Sequence, residues 1–369
     1  MDTPLRILIV DDSALMRRAL RDLLAREPDL CVVGEAGDGR QALALVAELR
    51  PDLVILDVRM PVMDGVETTR QIMAYHPTPI LVLTASLTDH EVDITFKMLG
   101  AGALDVMEKP SLASPGGVDW ARRTLLQKVR LLARVRVVTH LRGRRKPGAA
   151  PAAPADEPAG PCPVAGQRPA PVAHPALQIA HPVVVIGAST GGPRVVRQIL
   201  AALPADFPAA ILVVQHIAHG FSAGMVEWLT RSISLQVALA AEGMALCPGQ
   251  VLVAPDRYDL LVQPDGTVHL SGLPLLIQRP AIDIVMQSVA AVYGERSLGV
   301  LLTGMGRDGA IGMQAIRRAG GYAIAQDEAT SAIFGMPRAA IELGAVDAVL
   351  PPQRIAEALC RRLAPAHRP

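Results

Sequence analysis

The chain has 369 residues, which is long for one domain and comfortable for two. Its 36 basic and 35 acidic residues give a net charge of +1, which argues against nucleic-acid binding by the chain as a whole. The four cysteines, Cys31, Cys162, Cys247 and Cys360, are scattered, which argues against a disulfide framework or a zinc site. Because we find neither a signal-peptide pattern nor an apolar run of the roughly 20 residues that span a bilayer, we expect a cytoplasmic protein that is not itself in the membrane.

The first third of the chain alternates short β-branched runs with helical patterns. This alternation predicts a five-stranded, doubly wound α/β domain with helices on both faces of a parallel sheet, of the flavodoxin-like kind. The predicted strands are Arg6–Val10, Cys31–Glu35, Leu53–Asp57, Ile80–Thr84 and Ala103–Met107.

A basic helix and a proline-rich segment follow this domain. A helix is predicted from Asp119 to Leu141, and residues 121–146 hold ten Arg or Lys and no acid. Such a run could bind an anionic partner, but its helical leucine and valine spacing favours the solvated face of a packed helix. Residues 147–182 contain ten prolines, which predicts a semi-extended linker. The predicted organisation is a first domain over 1–125, the basic helix end and linker over 126–182, and a second domain over 183–363.

The second domain shows another strand–helix alternation, which predicts a Rossmann-like α/β fold with a mostly parallel sheet. Its predicted strands are Val183–Ala188, Ala210–Gln215, Leu235–Ala240, Val251–Ala254, Asp259–Val262, Val268–Ser271, Leu298–Thr303, Tyr322–Gln326 and Ala345–Val349. Its predicted helices are Arg194–Leu203, Ser222–Arg231, Ile282–Tyr293, Ala310–Ala319, Pro337–Leu343 and Gln353–Leu363.

Carboxylates follow two strands of the first domain that a doubly wound sheet makes neighbours. Asp11 and Asp12 come after the first strand, and Asp57 ends the third. Because crowded carboxylates repel one another, a hard cation such as Mg²⁺ is expected among them. Thr84 and Lys109, after the fourth and fifth strands, suit the binding of phosphoryl oxygens. We therefore expect Asp57 to accept a phosphoryl group as a nucleophile.

In the second domain, a serine, a histidine and an aspartate each follow a predicted strand. Ser189 lies in the run GASTGG at 187–192, His216 follows the next strand, and Asp308 lies in TGMGRDG at 303–309. A serine hydroxyl needs a base, and an acid can orient that base, so these residues form a candidate Ser–His–Asp triad. Ser189 could instead cap the following helix. GASTGG also matches the G-x-S-x-G elbow of α/β-hydrolases, but in that family the acid precedes the histidine.

Residues 1–125 resemble the receiver domains of two-component response regulators. The matching runs are DDSALMR at 11–17 and LDVRMPVMDG at 56–65. The resemblance implies that a histidine kinase phosphorylates Asp57 and that Asp11 and Asp12 help to bind Mg²⁺. Val106 stands where receivers usually carry an aromatic switch residue.

Residues 183–363 resemble the chemotaxis protein-glutamate methylesterases, the CheB family. The matching runs are VIGASTGGP, VVQHI, RPAIDIVMQSVA, LLTGMGRDGAIG and AQDEATSAIFGMP. The resemblance implies hydrolysis of glutamate methyl esters on chemoreceptor cytoplasmic helices, with slower deamidation of receptor glutamines and no cofactor for the hydrolysis. It also implies that Thr190 and Met305 support the oxyanion site or the triad.

Three functional hypotheses remain open on the sequence alone. In the first, the receiver covers the serine site until phosphorylation shifts the protein to an open form. In the second, the chain is a phosphorylation-switched adaptor whose hydrolase domain is inactive. In the third, the same enzyme serves a receptor pathway that does not steer flagella.

Overall fold

The computed structural model describes residues 3–85, 89–110, 115–135, 137, 181–272 and 280–363. All but the last two residues of the predicted proline-rich linker, and most of the basic run after residue 135, lie outside these ranges. Within them, no helix combines the length and the apolar character that a membrane crossing requires.

The N-terminal domain alternates five strands with five helices. The strands are β1 (Leu5–Val10), β2 (Leu30–Ala36), β3 (Leu53–Asp57), β4 (Ile80–Thr84) and β5 (Asp105–Glu108). The helices are α1 (Ala14–Leu24), α2 (Gly39–Leu49), α3 (Gly65–Tyr75), α4 (Asp89–Ala101) and α5 (Pro115–Leu132). All strands are parallel, in the order β2-β1-β3-β4-β5, which confirms the predicted flavodoxin-like sheet.

Helix α5 begins earlier and ends earlier than the predicted helix Asp119–Leu141. Leu125, Val129 and Leu132 are fully buried against the sheet, so the packed face of the helix continues past residue 125 to the last helical residue, and Ala133 and Val135 still pack against the same core beyond it. Arg122, Lys128 and Arg130 of this helix pair with acids of the same domain; Arg130, for example, contacts Glu27 and Asp29. For the described part of the basic run, these pairs favour the solvated-face interpretation over an anionic-partner site; its basic residues from Arg136 onwards lie outside the described residues.

The C-terminal domain contains nine strands among its described residues. They are β6 (Val183–Ala188), β7 (Ala210–Gln215), β8 (Gln236–Leu239), β9 (Gln250–Val253), β10 (Asp259–Val262), β11 (Val268–Ser271), β12 (Ser297–Leu301), β13 (Tyr322–Gln326) and β14 (Ala348–Leu350). Its α-helices are α6 (Gly192–Leu200), α7 (Ser222–Thr230), α8 (Ile282–Tyr293), α9 (Ala310–Arg318), α10 (Met336–Glu342) and α11 (Pro352–Leu363).

Seven of these strands form a parallel sheet in the order β14-β13-β12-β6-β7-β9-β8, while β10 and β11 form a separate antiparallel hairpin. This arrangement confirms the predicted mostly parallel sheet. Strand β6 lies at its centre, with the following strand β7 on one side and the much later β12 on the other. The chain therefore changes direction across the sheet at β6, and a crevice opens beyond the carboxyl ends of β6 and β12, where ligands of such sheets bind.

Helices α4 and α7 join the two domains through an apolar contact. The Phe96 ring of α4 packs against Phe221 and Trp228, with ring centroids 6.3 and 5.5 Å apart. A Cβ atom on Gly224 of α7 would lie 2.0 Å from Val92 Cγ1, so the two helices approach closely at this glycine. These side chains belong to one buried cluster that runs through both domains, so the domains share part of a core.

Candidate phosphoacceptor and hydrolase sites

The carboxylates predicted in the N-terminal domain meet at the carboxyl edge of its sheet. Asp11, Asp12 and Asp57 each offer an oxygen, and these oxygens lie within 4.8 Å of one another. Lys109 Nζ lies 2.7 Å from Asp11 Oδ2 and 2.9 Å from Asp57 Oδ2. One ammonium cannot neutralise three carboxylates, and oxygen ligands of this kind suit Mg²⁺.

The pKa values of both Asp57 and Lys109 lie above their ordinary values. Burial raises the pKa of Asp57 to about 6, with a further increase from Asp11, although Lys109 opposes both effects. Burial also disfavours the charged form of Lys109, but hydrogen bonds to Asp11 and Asp57 outweigh burial and raise its pKa. The lysine therefore stays protonated, while the Asp57 anion is left in need of further positive charge.

Thr84, at the end of β4, connects the carboxylate cluster to helix α4. Its hydroxyl donates to Glu91 Oε2 at 3.0 Å, and Glu91 Oε1 lies 2.9 Å from Arg59 Nε. Val106, which stands at the position of the expected aromatic residue, is only 2 % exposed on β5. Glu91 was not singled out from the sequence, because its place beside Thr84 depends on how α4 packs.

Ser189 lies in the loop between β6 and α6, at the edge of the crevice. The residue that caps α6 is Gly191, which has a φ of 77°, and no side chain caps the helix. The interpretation of Ser189 as a helix cap is therefore wrong. Gly304 lies directly behind the serine, where a Cβ atom would come within 2.6 Å of Ser189 Cβ, so this position has no room for a side chain.

His216 and Asp308 form a hydrogen-bonded pair beside this loop. His216 Nε2 lies 2.8 Å from Asp308 Oδ2, and both side chains are largely buried. Among the described residues, no partner contacts His216 Nδ1, which is buried as well. If Nε2–H donates to the carboxylate, Nδ1 is the ring nitrogen that can accept a proton from serine.

Asp308 is held as an anion by the start of helix α8. It accepts hydrogen bonds from the backbone N–H groups of Ile282 at 2.8 Å and Asp283 at 2.9 Å. Burial raises the pKa of Asp308, but the hydrogen bond from His216 and these backbone bonds outweigh burial and hold it below the ordinary value. A carboxylate that stays ionised can orient an imidazole and stabilise its protonated form.

Two further residues make hydrogen bonds around the site and were given no role from the sequence. The Gln215 amide donates to the carbonyl oxygens of Ser189 at 2.8 Å and His216 at 2.9 Å. Asp283, next to Asp308, accepts a bond of 2.6 Å from the Gly312 N–H, and burial raises its pKa. Both residues lie within the quoted motifs, but their roles depend on hydrogen bonds that a motif does not display.

Thr190 and Met305, predicted to support the site, both lie at the contact with the N-terminal domain. Thr190 Oγ1 donates to Asp105 Oδ2 of that domain at 2.7 Å. Met305 lines a cleft that it shares with Arg122 and Leu126 of helix α5. The N-terminal domain therefore borders the serine site from two sides.

Comparison with protein families matches both domains. Residues 184–359 match the CheB methylesterase family model, and residues 7–114 match the response regulator receiver domain model. A catalytic domain of a CheB methylesterase from Thermotoga maritima is 38% identical and covers 50% of this chain and 100% of its own, with a TM-score of 0.49.

Proteins with both domains match nearly the full length of the chain. A protein-glutamate methylesterase/protein-glutamine glutaminase from Anaeromyxobacter dehalogenans is 47% identical over 360 residues, or 97% of each chain. One with the same name from Symbiobacterium thermophilum is 42% identical over 363 residues and also covers 97% of each chain.

Proposed function

Because the chain belongs to the CheB family of protein-glutamate methylesterases/protein-glutamine glutaminases, we propose that Ser189, His216 and Asp308 perform its hydrolytic reaction. The protein is a hydrolase under the control of a phosphorylated receiver domain, and it demethylates and deamidates chemoreceptor side chains during sensory adaptation. The single observation that carries the residue assignment is the buried bond between His216 and Asp308 beside the loop of Ser189.

The reaction begins with attack by the serine on a glutamate methyl ester. Ser189 Oγ forms a bond to the ester carbonyl carbon, its proton passes to His216 Nδ1, and the carbonyl π electrons move to the oxygen. When the oxyanion collapses, the bond to methoxide breaks and the imidazolium donates its proton, so methanol leaves and an acyl-enzyme remains. Water then attacks the acyl-enzyme, with His216 again as the base, and glutamate is released.

The same residues serve deamidation of glutamine. The bond that breaks is then the C–N bond, and His216 protonates the departing nitrogen, so ammonia is released instead of methanol. Because an amide nitrogen is a poorer leaving group than methoxide, deamidation is the slower reaction. Neither reaction requires a metal ion at this site.

Asp57 is the phosphoacceptor in this proposal. One oxygen of its carboxylate forms a bond to the phosphorus of a phosphohistidine on a histidine kinase while the P–N bond breaks and the kinase imidazole leaves, and Thr84 and Lys109 bind the phosphoryl oxygens. Asp11, Asp12 and Asp57 would hold Mg²⁺, which offsets the negative charge of the acyl phosphate. The proposal is supported by the raised pKa of Asp57 and by the excess of carboxylates over ammonium groups around it.

In the unphosphorylated protein, the receiver restricts the approach of receptor helices to the serine. This is supported by the contacts of Asp105 and helix α5 with Thr190 and Met305, which border the serine site. Phosphorylation shifts the population towards an open form. We expect the substrate to be the cytoplasmic helices of methyl-accepting chemoreceptors.

The test is methanol release from methylated receptor membranes, with and without Mg²⁺ and a small phosphodonor. The wild type should release methanol faster with the phosphodonor, Asp57→Asn should not respond to it, and Ser189→Ala should release none. Release that survives in Ser189→Ala would overturn the triad. Absence of release from the wild type under every condition, with Ser189→Ala retaining its effect in cells, would favour the adaptor hypothesis.

A further inference from the structure

The backbone N–H groups around Ser189 have very different partners. The Ser189 N–H donates to the Thr303 carbonyl at 3.0 Å, and the Gly192 N–H donates to the Ser189 carbonyl at 2.8 Å. Both acceptors belong to the catalytic domain and hold the loop in shape. These two groups are therefore committed and are not available to a substrate.

The two N–H groups between them are not used by the catalytic domain. The Gly191 N–H donates to the carbonyl oxygen of Leu104, in the receiver, at 3.0 Å. The Thr190 N–H contacts no acceptor in the part of the chain that the structure describes. Successive N–H groups next to a residue with positive φ, such as Gly191 at 77°, form a concave site that binds oxygen anions.

From these contacts we propose that the N–H groups of Thr190 and Gly191 bind the oxyanion of the tetrahedral intermediate, and that the Leu104 carbonyl oxygen of the receiver occupies the Gly191 N–H in the resting enzyme. The proposal rests on the assignment of Ser189 as the nucleophile. It adds Gly191 to the catalytic residues and identifies an internal ligand for the oxyanion site. Preorganised donors of this type stabilise the charge that develops during attack.

A second contact fixes the Leu104 carbonyl in this position. Asp105, the next residue, accepts a hydrogen bond of 2.7 Å from Thr190 Oγ1 and forms an ion pair with Lys128 of α5. The start of strand β5 is thereby tied both to its own domain and to the serine loop. When the receiver moves away, both loop contacts break together and the oxyanion site becomes available.

This arrangement differs from steric occlusion in one measurable respect. A receiver that merely covered the crevice would exclude a large receptor helix but admit a small ester. A receiver that occupies an oxyanion donor inhibits both, because every ester needs the same donors in its transition state. The unphosphorylated enzyme should therefore hydrolyse a small methyl ester at least about tenfold more slowly than the phosphorylated enzyme, since removal of one oxyanion donor typically costs 10²–10³ in rate.

The direct test observes the Gly191 amide by NMR. The sequence contains Thr-Gly pairs at Thr190–Gly191 and Thr303–Gly304 only, so carbonyl ¹³C-threonine with ¹⁵N-glycine labelling gives two selected amide signals. The Gly304 N–H donates to the Ile333 carbonyl at 2.9 Å inside the catalytic domain and serves as the internal control. Hydrogen exchange of both amides is measured in the resting full-length protein, with Mg²⁺ and a phosphodonor, and after Ser189 has reacted with a small activated alkylphosphonate.

We expect the Gly191 amide to exchange slowly at rest, about tenfold or more faster after phosphorylation, and slowly again in the phosphonate adduct, while Gly304 stays protected throughout. Rapid exchange of Gly191 in the adduct would overturn the oxyanion assignment and leave Ser189 as the nucleophile. Slow exchange that persists after phosphorylation would overturn the role of the Leu104 carbonyl. If the phosphonate does not label Ser189, the assignment of Ser189 as the nucleophile fails, and this outcome is distinct from failure of the oxyanion assignment alone.

Discussion

Asp308 and Asp283 lie side by side at the start of α8, yet their surroundings favour opposite charge states. Hydrogen bonds from His216 and from backbone N–H groups outweigh burial and lower the pKa of Asp308, whereas burial raises that of Asp283. Because each Asp308 oxygen accepts bonds from N–H groups, an amide at this position would turn an –NH₂ group towards another donor.

The first prediction compares these two carboxyl groups. Asp308→Asn should lower kcat for ester hydrolysis by about 10³–10⁴-fold, as expected when the acid of a triad becomes an amide. Asp283→Asn, the matched control, should change kcat only a few-fold because a neutral side chain is tolerated where burial already disfavours the anion. Turnover of a methyl ester by phosphorylated enzyme measures both. Equal losses in the two variants would contradict the assigned role of Asp308.

The second prediction concerns the pH dependence of Mg²⁺ binding at Asp57. The folded-state pKa of this carboxyl is raised to about 6, so the group takes up a proton as the pH falls through 6. The proton competes with the cation for the carboxylate, and the apparent Kd for Mg²⁺ should rise up to about tenfold per pH unit below 6. Above pH 7 the apparent Kd for Mg²⁺ should be nearly constant, because Asp57 is then deprotonated.

Titration calorimetry of the full chain from pH 5 to pH 8 measures this dependence. Asp57→Asn should bind Mg²⁺ more weakly and should lose the change near pH 6, because the titrating group is gone. An affinity that does not vary between pH 5 and pH 7 in the wild type would contradict the prediction.

At the scale of elements, helix α4 connects the surroundings of Asp57, the proposed phosphoacceptor, to the contact between the domains. Its residue Glu91 bonds to Thr84 and Arg59, and one turn further along Phe96 packs on Trp228 of the catalytic domain. Val106 is buried and has no aromatic ring to reorient. We therefore expect a phosphoryl group on Asp57 to draw the Thr84 hydroxyl away from Glu91 and, through Glu91, to change the position of α4.

The third prediction follows from that connection. Glu91→Ala should reduce the stimulation of receptor demethylation by a phosphodonor at least severalfold, because Thr84 and Arg59 both lose their contact with α4. Asp93→Asn is the matched control: it lies on the same helix and loses ion pairs with Arg231 and Lys97 but does not contact Thr84. Since these pairs are partly exposed, their loss should change stimulation little. Equal stimulation in Glu91→Ala and wild type would exclude this path.

Secondary structure was predictable where local pattern and burial coincide. Strands such as Leu53–Asp57 and Val183–Ala188 have the predicted bounds because both faces of a central parallel strand are buried, which produces a continuous apolar run. The end of α5 was predicted wrongly: Val135 continues the helical spacing and still packs against the core, but the helix itself ends at Leu132, so apolar spacing alone did not mark the helix end.

The candidate sites were predictable to the extent that their residues follow strands. Asp11 and Asp57 follow the neighbouring strands β1 and β3 of one sheet, and Ser189 and His216 follow the neighbouring strands β6 and β7 of the other. The convergence of each pair at its own sheet edge is therefore a property of the fold class. Glu91 and Asp283 lie on helices, and their contacts depend on how those helices pack. The contact between the domains has no local signature, because it depends on shape complementarity between two surfaces.

At the scale of the whole molecule, Gly224 is the position where the domains approach most closely among the described glycines. It lies inside helix α7, where alanine is intrinsically better by about 1 kcal/mol, so a Gly224→Ala variant should fold. Its added methyl group would nevertheless lie 2.0 Å from Val92 Cγ1 of the receiver. Overpacking of this kind costs about 1–3 kcal/mol, and here the strain is relieved when the domains separate.

The fourth prediction is that Gly224→Ala activates the enzyme without phosphorylation. A penalty of about 1–3 kcal/mol on the closed form shifts the equilibrium towards the open form by roughly 5–150-fold, so unstimulated demethylation should rise and the response to a phosphodonor should shrink. Ala223→Ser, at the neighbouring exposed position, should behave as wild type. Small-angle scattering should show a larger radius of gyration for unphosphorylated Gly224→Ala than for the wild type or Ala223→Ser.

Added salt distinguishes an apolar contact from one held by ion pairs. Because the contact is apolar, added salt should not activate the enzyme, whereas an interface held by ion pairs such as Arg231–Asp93 would open in salt. If salt alone activates the enzyme and Gly224→Ala behaves as wild type, ion pairs such as Arg231–Asp93, and not the apolar contact, hold the domains in the closed form.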